Sequence, residues 1–320
     1  MVRLIVGAIL LATLLPVTGE FHRSAQMVSN VAVFLLFLFY GMRLARGEVI
    51  RGLGNVRFLV PLALWVFAVM GGAGWVAWQV TAPLVPTAVA VGFLYLGVLP
   101  STVQSATVYS SLAGGNVASS VLAAALLNIA GVFLSVPLFS LLAGSAGSVF
   151  SGATLVKVLT ILLLPFALGQ ASQRFTGEWA ARHRPLMAKM DRAVIGLAVY
   201  VAFSGAVEQH VWSKLDPWVW LVVLCACAVL LLVAYGGAWL LSGLLGLARG
   251  DRIAMLFAGG QKSIAMGAPL ATVLFSPATA GMIMLPLLAY HLAQMVAAAP
   301  IAARLKAAEP DEPSPRTGIG

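Results

Sequence analysis

Apolar runs long enough to cross a bilayer follow one another along most of this 320-residue chain. A helix needs about 20 apolar residues to span the hydrocarbon core. Hydrophobic residues make up 61% of the sequence and charged residues only 9%. That leaves too little charge to cover a water-facing surface, because a soluble domain carries about 25% charged residues. We therefore predict an all-α polytopic membrane protein.

The apolar runs divide into ten predicted spans, of which the fourth and the ninth are interrupted. Span 4 begins near Pro86, and span 9 begins after Arg252. Spans 1, 2, 3, 5, 6, 7, 8 and 10 are predicted at about residues 4–17, 27–44, 58–78, 117–142, 154–170, 193–207, 218–247 and 281–303. The tail, residues 308–320, is polar and rich in proline, which predicts a disordered cytoplasmic segment.

The basic residues cluster on one side of the predicted spans. Arg43, Arg46 and Arg51 follow span 2, and a basic loop over residues 174–192 follows span 6. Loops 3–4 and 9–10, on the other side, contain no Lys or Arg. By the positive-inside rule, both termini are cytoplasmic. The expected location is the bacterial inner (plasma) membrane. The formal charge of +9 then belongs to loops and not to a nucleic-acid-binding face.

Ten spans divide into two related halves. Five spans per half is an odd number, so a duplicated chain would insert its halves in opposite orientations, as in many transporters. Weak similarity supports this, because the LLP motif of residues 14–16 recurs at residues 163–165. We predict two inverted five-helix repeats, residues 1–150 and 151–307.

The interruption of span 4 lies in the segment LPSTVQS, where Pro100 removes a backbone hydrogen bond. Freed carbonyl groups must find partners in hydrocarbon, because an unsatisfied polar group there costs several kcal/mol. The polar residues at the break predict a wet or ligand-facing cavity, and the alternative is a proline kink healed by hydroxyl groups. The residues are Ser101, Thr102, Gln104 and Ser105, with Asn128 of span 5 as a further cavity residue or a helix–helix contact.

The interruption of span 9 lies in the segment GGQKSIAMGAP, in which the glycines loosen the helix and Pro269 is expected to interrupt it again. Lys262 is an ionisable residue at membrane depth, which is expensive and marks function unless its side chain snorkels to an interface. Gln261 and Ser263 flank it. Two discontinuous helices in corresponding positions predict a transport site where they meet, with the breaks in contact near the bilayer midplane.

Other polar residues are weaker candidates. Asn116 opens span 5 and is equally well explained as a helix cap. His291 and Gln294 lie on one face of span 10, where we expect a satisfied buried pair. Cofactor-dependent and enzymatic chemistry lacks support, because the sequence contains no H-E-x-x-H, G-x-S-x-G or P-loop motif.

The segments LPSTVQSATVYSSLAGGN and AGGQKSIAMGAP resemble the bile acid:sodium symporter family, specifically its SBF-like branch. FLFYGMRL in span 2, LLPFALGQ in span 6 and HLAQ in span 10 extend the resemblance over nearly the whole chain. The resemblance implies a core domain and a panel domain, with spans 4 and 9 crossing at their unwound middles. It also implies a secondary transporter of a small organic solute, most simply an organic anion, that works by alternating access.

The resemblance transfers a binding site only in part. The family's first cation site matches Gln104, Ser105, Asn116 and Ser120, and with Gln261 these are the candidates for a sodium ion. Sodium-coupled members place a glutamate shortly before the glutamine of span 9, whereas residues 255–260 here contain no carboxylate. The candidate substrate and ion site therefore comprises Ser101, Thr102, Gln104, Ser105, Asn116, Ser120, Asn128, Gln261, Lys262 and Ser263.

Lys262 argues against sodium coupling. A unit charge about 4 Å from a sodium ion costs roughly 4 kcal/mol at an effective dielectric near 20, which weakens binding about a thousandfold. We expect the ammonium to fill the vacant cation position, held by Gln104, Ser105 and unwound carbonyls. The alternatives are that it pairs with an anionic substrate or carries a proton.

The expected partners are the lipid bilayer and a small solute, and no nucleic acid. A second function class stays open, namely a non-transporting membrane sensor or regulator of ion homeostasis on the same fold. Polar linings at both breaks favour transport, because a pure scaffold would not need them.

Overall fold

The computed structural model describes residues 2–43, 55–144, 156, 159–208 and 216–308, and these residues form helices and short connections without a strand. The predicted boundary between the halves, at residues 150 and 151, lies outside the described residues. So does the predicted disordered tail from residue 309 onward.

Twelve α-helices are numbered here in chain order within the described residues. They are α1 Val2–Leu14, α2 Gly19–Arg43, α3 Val56–Thr81, α4 Thr87–Val98, α5 Val103–Leu112, α6 Val117–Ala143, α7 Leu164–Arg182, α8 Arg184–Glu208, α9 Pro217–Leu244, α10 Arg249–Gly260, α11 Ile264–Leu274 and α12 Pro277–Ala307. A π-helical turn, Trp65–Val69, lies inside α3, and a second one, Leu159–Leu163, precedes α7.

Six described helices, α2, α3, α6, α8, α9 and α12, contain stretches long and apolar enough to cross a membrane. Helices α4 and α5 together form a seventh candidate, bent by 62° at the break between them. The structure thus supports an all-helical membrane protein with six or seven candidate spans, whereas ten crossings stay a prediction. Large apolar side chains such as Leu10, Leu141 and Leu232 are exposed, as expected of lipid-facing helices.

The predicted basic loop between spans 6 and 7 is wrong. Helix α7 continues to Arg182, and α8 begins at Arg184 after a single turn residue, His183. The segment is polar but rich in good helix formers such as Ala, Gln, Arg, Met and Lys. Its Pro185 lies in the first turn of α8, where proline is tolerated. The apolar residues end before the helices end, so a prediction based on hydropathy alone assigns a loop to this segment.

The helices pack in two groups. Helix α2 runs along α7, and α1 and α2 both pack on α8. The second group contains α3 to α6 and α9 to α12, and α8 joins the two groups by packing on α11 and α12. The broken helices all lie in the larger group.

Candidate functional site

The two helix breaks touch each other in the larger group. The first break, residues 99–102, separates α4 from α5, and the second, residues 261–263, separates α10 from α11. The backbone N–H of Ser263 donates to the carbonyl of Pro100 at 2.9 Å. The hydroxyl of Thr102 donates to Oε1 of Gln261 at 2.7 Å, and Ser105 donates to the same oxygen. The predicted contact between the breaks is therefore present.

Each carbonyl group from Gly97 to Ser101, at the end of α4 and in the first break, has a hydrogen-bond partner. Pro100 and the extended backbone on both sides leave the last carbonyls of α4 without intrahelical bonds. Other groups donate to these carbonyls instead. The Lys262 ammonium donates to the carbonyls of Gly97 and Leu99, and the Ser135 hydroxyl donates to that of Val98. The Ser263 N–H donates to the carbonyl of Pro100, and the Asn128 amide donates to that of Ser101. A Cβ atom at position 131 would lie 2.6 Å from the ring of Pro100, so only glycine fits there without a shift of the ring.

Lys262 is fully buried at the crossing, with 0% of its surface exposed. Its Nζ donates to the carbonyls of Gly97 at 2.7 Å, Leu99 at 2.8 Å and Val66 at 3.0 Å. The snorkelling alternative is wrong, and so is the expectation that Gln104 and Ser105 hold the ammonium. The backbone carbonyls of the same expectation do hold it, because the end of α4 and the π-helical turn of α3 both present oxygen atoms there.

The second break is held by side chains of α12. Gln294 accepts the N–H of Lys262 at 2.8 Å through Oε1 and donates from Nε2 to the Lys262 carbonyl at 3.2 Å. The same Nε2 contacts Nδ1 of His291 at 2.8 Å, so the predicted buried pair is confirmed. Tyr290 donates to the carbonyl of Gly260 at 2.7 Å. Sequence reasoning missed that Gln294 bonds both backbone groups of the lysine.

Two buried polar atoms at the crossing have no hydrogen-bond partner within the described residues. They are Nε2 of Gln261 and the hydroxyl of Ser101, both in side chains that are 0% exposed. Buried polar groups are nearly always bonded, so an unbonded one needs an explanation such as a ligand or a water molecule. Neither residue is among those that line the cavity described next.

A cavity of about 710 Å³ lies between the crossing and the smaller helix group. Its polar and charged lining residues are Arg3, Tyr40, Arg43, Thr102, Gln104, Ser105, Asn128, Asp191, Arg192, Ser263 and His291. Arg43 and Asp191 join α2 to α8 through two parallel hydrogen bonds of 2.9 and 3.0 Å. Sequence reasoning counted these arginines only as markers of the cytoplasmic side, and helix packing brings them to the cavity.

The structure does not gather all predicted sodium ligands. Asn116 is exposed, caps α6 by accepting the N–H of Ser119 at 3.0 Å, and donates to Asp251 at 2.8 Å. Ser120 accepts a hydrogen bond from Ser110 at 3.1 Å. Neither residue lines the cavity, whereas Gln104 is exposed on its wall. Of the predicted set, Ser105 and Gln261 are in contact.

Comparison with known proteins matches nearly the whole chain to one family model. The model is described as the SBF-like CPA transporter family (DUF4137) and matches residues 1–307. The chain is 35% identical to the uncharacterized protein PA2026 of Pseudomonas aeruginosa, covering 94% of this chain and 90% of the relative. It is also 35% identical to the Escherichia coli protein named "Putative symporter YfeH", covering 94% and 91%. The mouse protein named sodium/bile acid cotransporter 7 is 23% identical, covering 91% and 86%.

Proposed function

Because this chain belongs to the SBF-like CPA transporter family and is a membrane transporter of the bile acid:sodium symporter type, we propose that it is a secondary transporter of a small organic anion. The anion binds in the cavity beside the crossed helix breaks and passes the membrane by alternating access. The protein lies in a bacterial inner membrane with both termini in the cytoplasm.

The charge of the cavity wall carries this proposal. The cavity is lined by three arginines, Arg3, Arg43 and Arg192. Asp191 is the one carboxylate among the described lining residues. Guanidinium groups bind carboxylate, sulfate and phosphate through paired, charge-assisted hydrogen bonds. Hydroxyl and amide groups of Thr102, Ser105 and Asn128 lie on the opposite wall. A solute with one anionic head and a polar body fits both walls.

The order of the helices supports alternating access. A broken pair follows three helices in the first part of the chain, namely α4 with α5, and another follows three helices in the second part, namely α10 with α11. This is the order expected of two inverted five-helix repeats that cross at their broken members. The cavity is lined by residues from the basic ends of α1, α2 and α8. We infer that the cavity opens to the cytoplasm and that the structure represents an inward-facing state.

Topology gives one prediction. Reporter domains placed at His183, the turn between α7 and α8, and at the C-terminus should both be found in the cytoplasm, because basic residues flank both positions. A fusion at Pro83, in the lysine- and arginine-free connection after α3, is the control and should be found outside. Opposite locations for the first two reporters would contradict ten spans.

The transport proposal is tested by thermal unfolding in detergent followed by counterflow in proteoliposomes. Taurocholate, succinate, citrate and a sulfated steroid serve as anionic probes, and glucose and choline serve as neutral and cationic controls. We expect one or more anions to raise the melting temperature and to exchange across the liposome membrane. An anion that stabilises the protein without exchange would favour the alternative function, a non-transporting sensor.

A further inference from the structure

Three backbone carbonyl oxygens from two helices converge on one buried ammonium group. They belong to Val66 in the π-helical turn of α3 and to Gly97 and Leu99 at the end of α4, all within 3.0 Å of Nζ of Lys262. Within the part of the chain that the structure describes, no carboxylate lies within ion-pair distance of this ammonium. Among the described residues, the groups within hydrogen-bond distance of the ammonium are these three peptide carbonyls.

This is the ligand chemistry of a site for a small monovalent cation. Carbonyl oxygens replace the hydration shell of such ions in selective channels. Carbonyls at a helix C-terminus lack intrahelical partners and carry partial negative charge. An ammonium group has three N–H donors, so three carbonyls satisfy it completely. A bound inorganic ion could use the same oxygen atoms only if the lysine were absent.

We propose that the crossing is a monovalent-cation site whose permanent occupant is the covalently attached ammonium of Lys262. The occupant cannot leave, so no sodium ion enters the crossing and the anion is carried without a sodium ion bound there. The statement about transport rests on the proposed function, whereas the statement about cation binding does not.

The occupied site also explains the crossing itself. Lys262 bonds α3 and α4 from the second break, while Gln294 of α12 bonds the backbone of the same lysine. The ammonium therefore links the second break to α3 and α4, and the backbone of the same lysine links it to α12. In a protein with a free ion, the same link would form only when the ion is bound.

The test removes the attached cation and supplies a free one. Lys262→Ala deletes three methylene groups and the ammonium, which together have the size of propylammonium. We expect the melting temperature in detergent to fall by more than about 5 °C. Propylammonium chloride should raise it again in a saturable way. Neither 1-propanol, which lacks charge, nor choline, which lacks N–H donors, should do so at equal concentration.

Two variants serve as controls. Lys262→Met fills the space with an uncharged side chain, so it should lose stability and not respond to propylammonium. Lys189→Ala, at an exposed position of α8, should match the wild type with and without propylammonium. If Lys262→Ala ignores propylammonium, or if Lys262→Met is as stable as the wild type, the cation site is refuted.

The wild-type protein gives an independent readout should Lys262→Ala not fold. Its melting temperature should be the same in sodium chloride and in choline chloride of equal ionic strength. A saturable rise that is specific to sodium would overturn the proposal. None of these measurements uses a transported substrate, so they stand even if the proposed transport function fails.

Discussion

Replacing Gly41 with alanine is expected to destabilise the contact between α2 and α7 by about 1–3 kcal/mol or more, the range for overpacking a tight interface. A Cβ at Gly41 would overlap the backbone carbonyl oxygen of Phe166 and would lie 2.9 Å from the backbone nitrogen of Gln170. Gly169 of α7 makes the reciprocal approach to the backbone of α2. Backbone atoms cannot rotate away, so the two helices must separate. Small residues allow such close helix contacts in membranes.

The matched control for this prediction is Gly72→Ala in α3. A Cβ there meets nothing within 4 Å, so the variant should gain about 0.5–1 kcal/mol from the lower flexibility of the unfolded chain. Thermal unfolding of both variants in one detergent measures the difference. Equal melting temperatures for the two variants would contradict the close packing of α2 on α7.

Gln294→Leu is expected to destabilise the second helix break. The change leaves the buried N–H and C=O of Lys262 without their partner. Each unsatisfied buried group costs about 1–3 kcal/mol, so the loss amounts to about 2–6 kcal/mol. We expect a lower melting temperature and faster proteolysis within residues 261–263, measured by mass spectrometry of the fragments.

Gln104→Leu is the control for Gln294→Leu. Gln104 is exposed on the cavity wall, and an exposed substitution usually changes stability by less than about 0.5 kcal/mol. Its melting temperature should therefore match that of the wild type. A Gln294→Leu protein as stable as Gln104→Leu would mean that water or another group replaces the amide at the break.

Much of the fold could be predicted from the sequence because lipid imposes a simple rule. Backbone groups in hydrocarbon must be bonded internally, so long apolar runs are helices, and the predicted limits of span 5 and span 8 are close to α6 and α9. The rule says nothing about where helices end in water. The helical residues between 171 and 192 were therefore predicted as a loop, although their helix propensity is high.

The candidate site was predictable where local chemistry decides. Pro100 interrupts a helix as predicted, and the contact between the two breaks followed from their corresponding positions. Proline alone does not decide this, because Pro137 and Pro269 lie inside α6 and α11, so the predicted second interruption at Pro269 is wrong. Partners across the fold were not predictable, because they depend on packing between distant segments. Lys262 bonds to carbonyls of Val66 and Gly97, and no side-chain pattern marks a carbonyl as a partner.

The arginine-lined cavity shows the same limit. Asp191 lies in a run of basic residues, where the sequence does not mark it as special. It nevertheless forms an ion pair with Arg43, which is 148 residues away in the sequence. The sequence does suggest an ion pair between Glu178 and Arg182, which are four residues apart on one helix. Their side chains are 90% and 75% exposed, so this pair contributes little to stability. Burial separates the two pairs, and burial follows only from the packed structure.

The most direct test of an anion transporter is counterflow in proteoliposomes with Arg192→Gln. Arg192 lines the cavity, and loss of one charge-assisted hydrogen bond, about 1.5–3 kcal/mol, corresponds to at least a tenfold weaker interaction. The wild type and the exposed control Arg182→Gln should exchange a labelled anion from the thermal screen at equal rates. Arg192→Gln should exchange it at least about tenfold more slowly below saturation. Equal exchange by Arg192→Gln and the wild type, or no anion exchange by the wild type at all, would contradict the account.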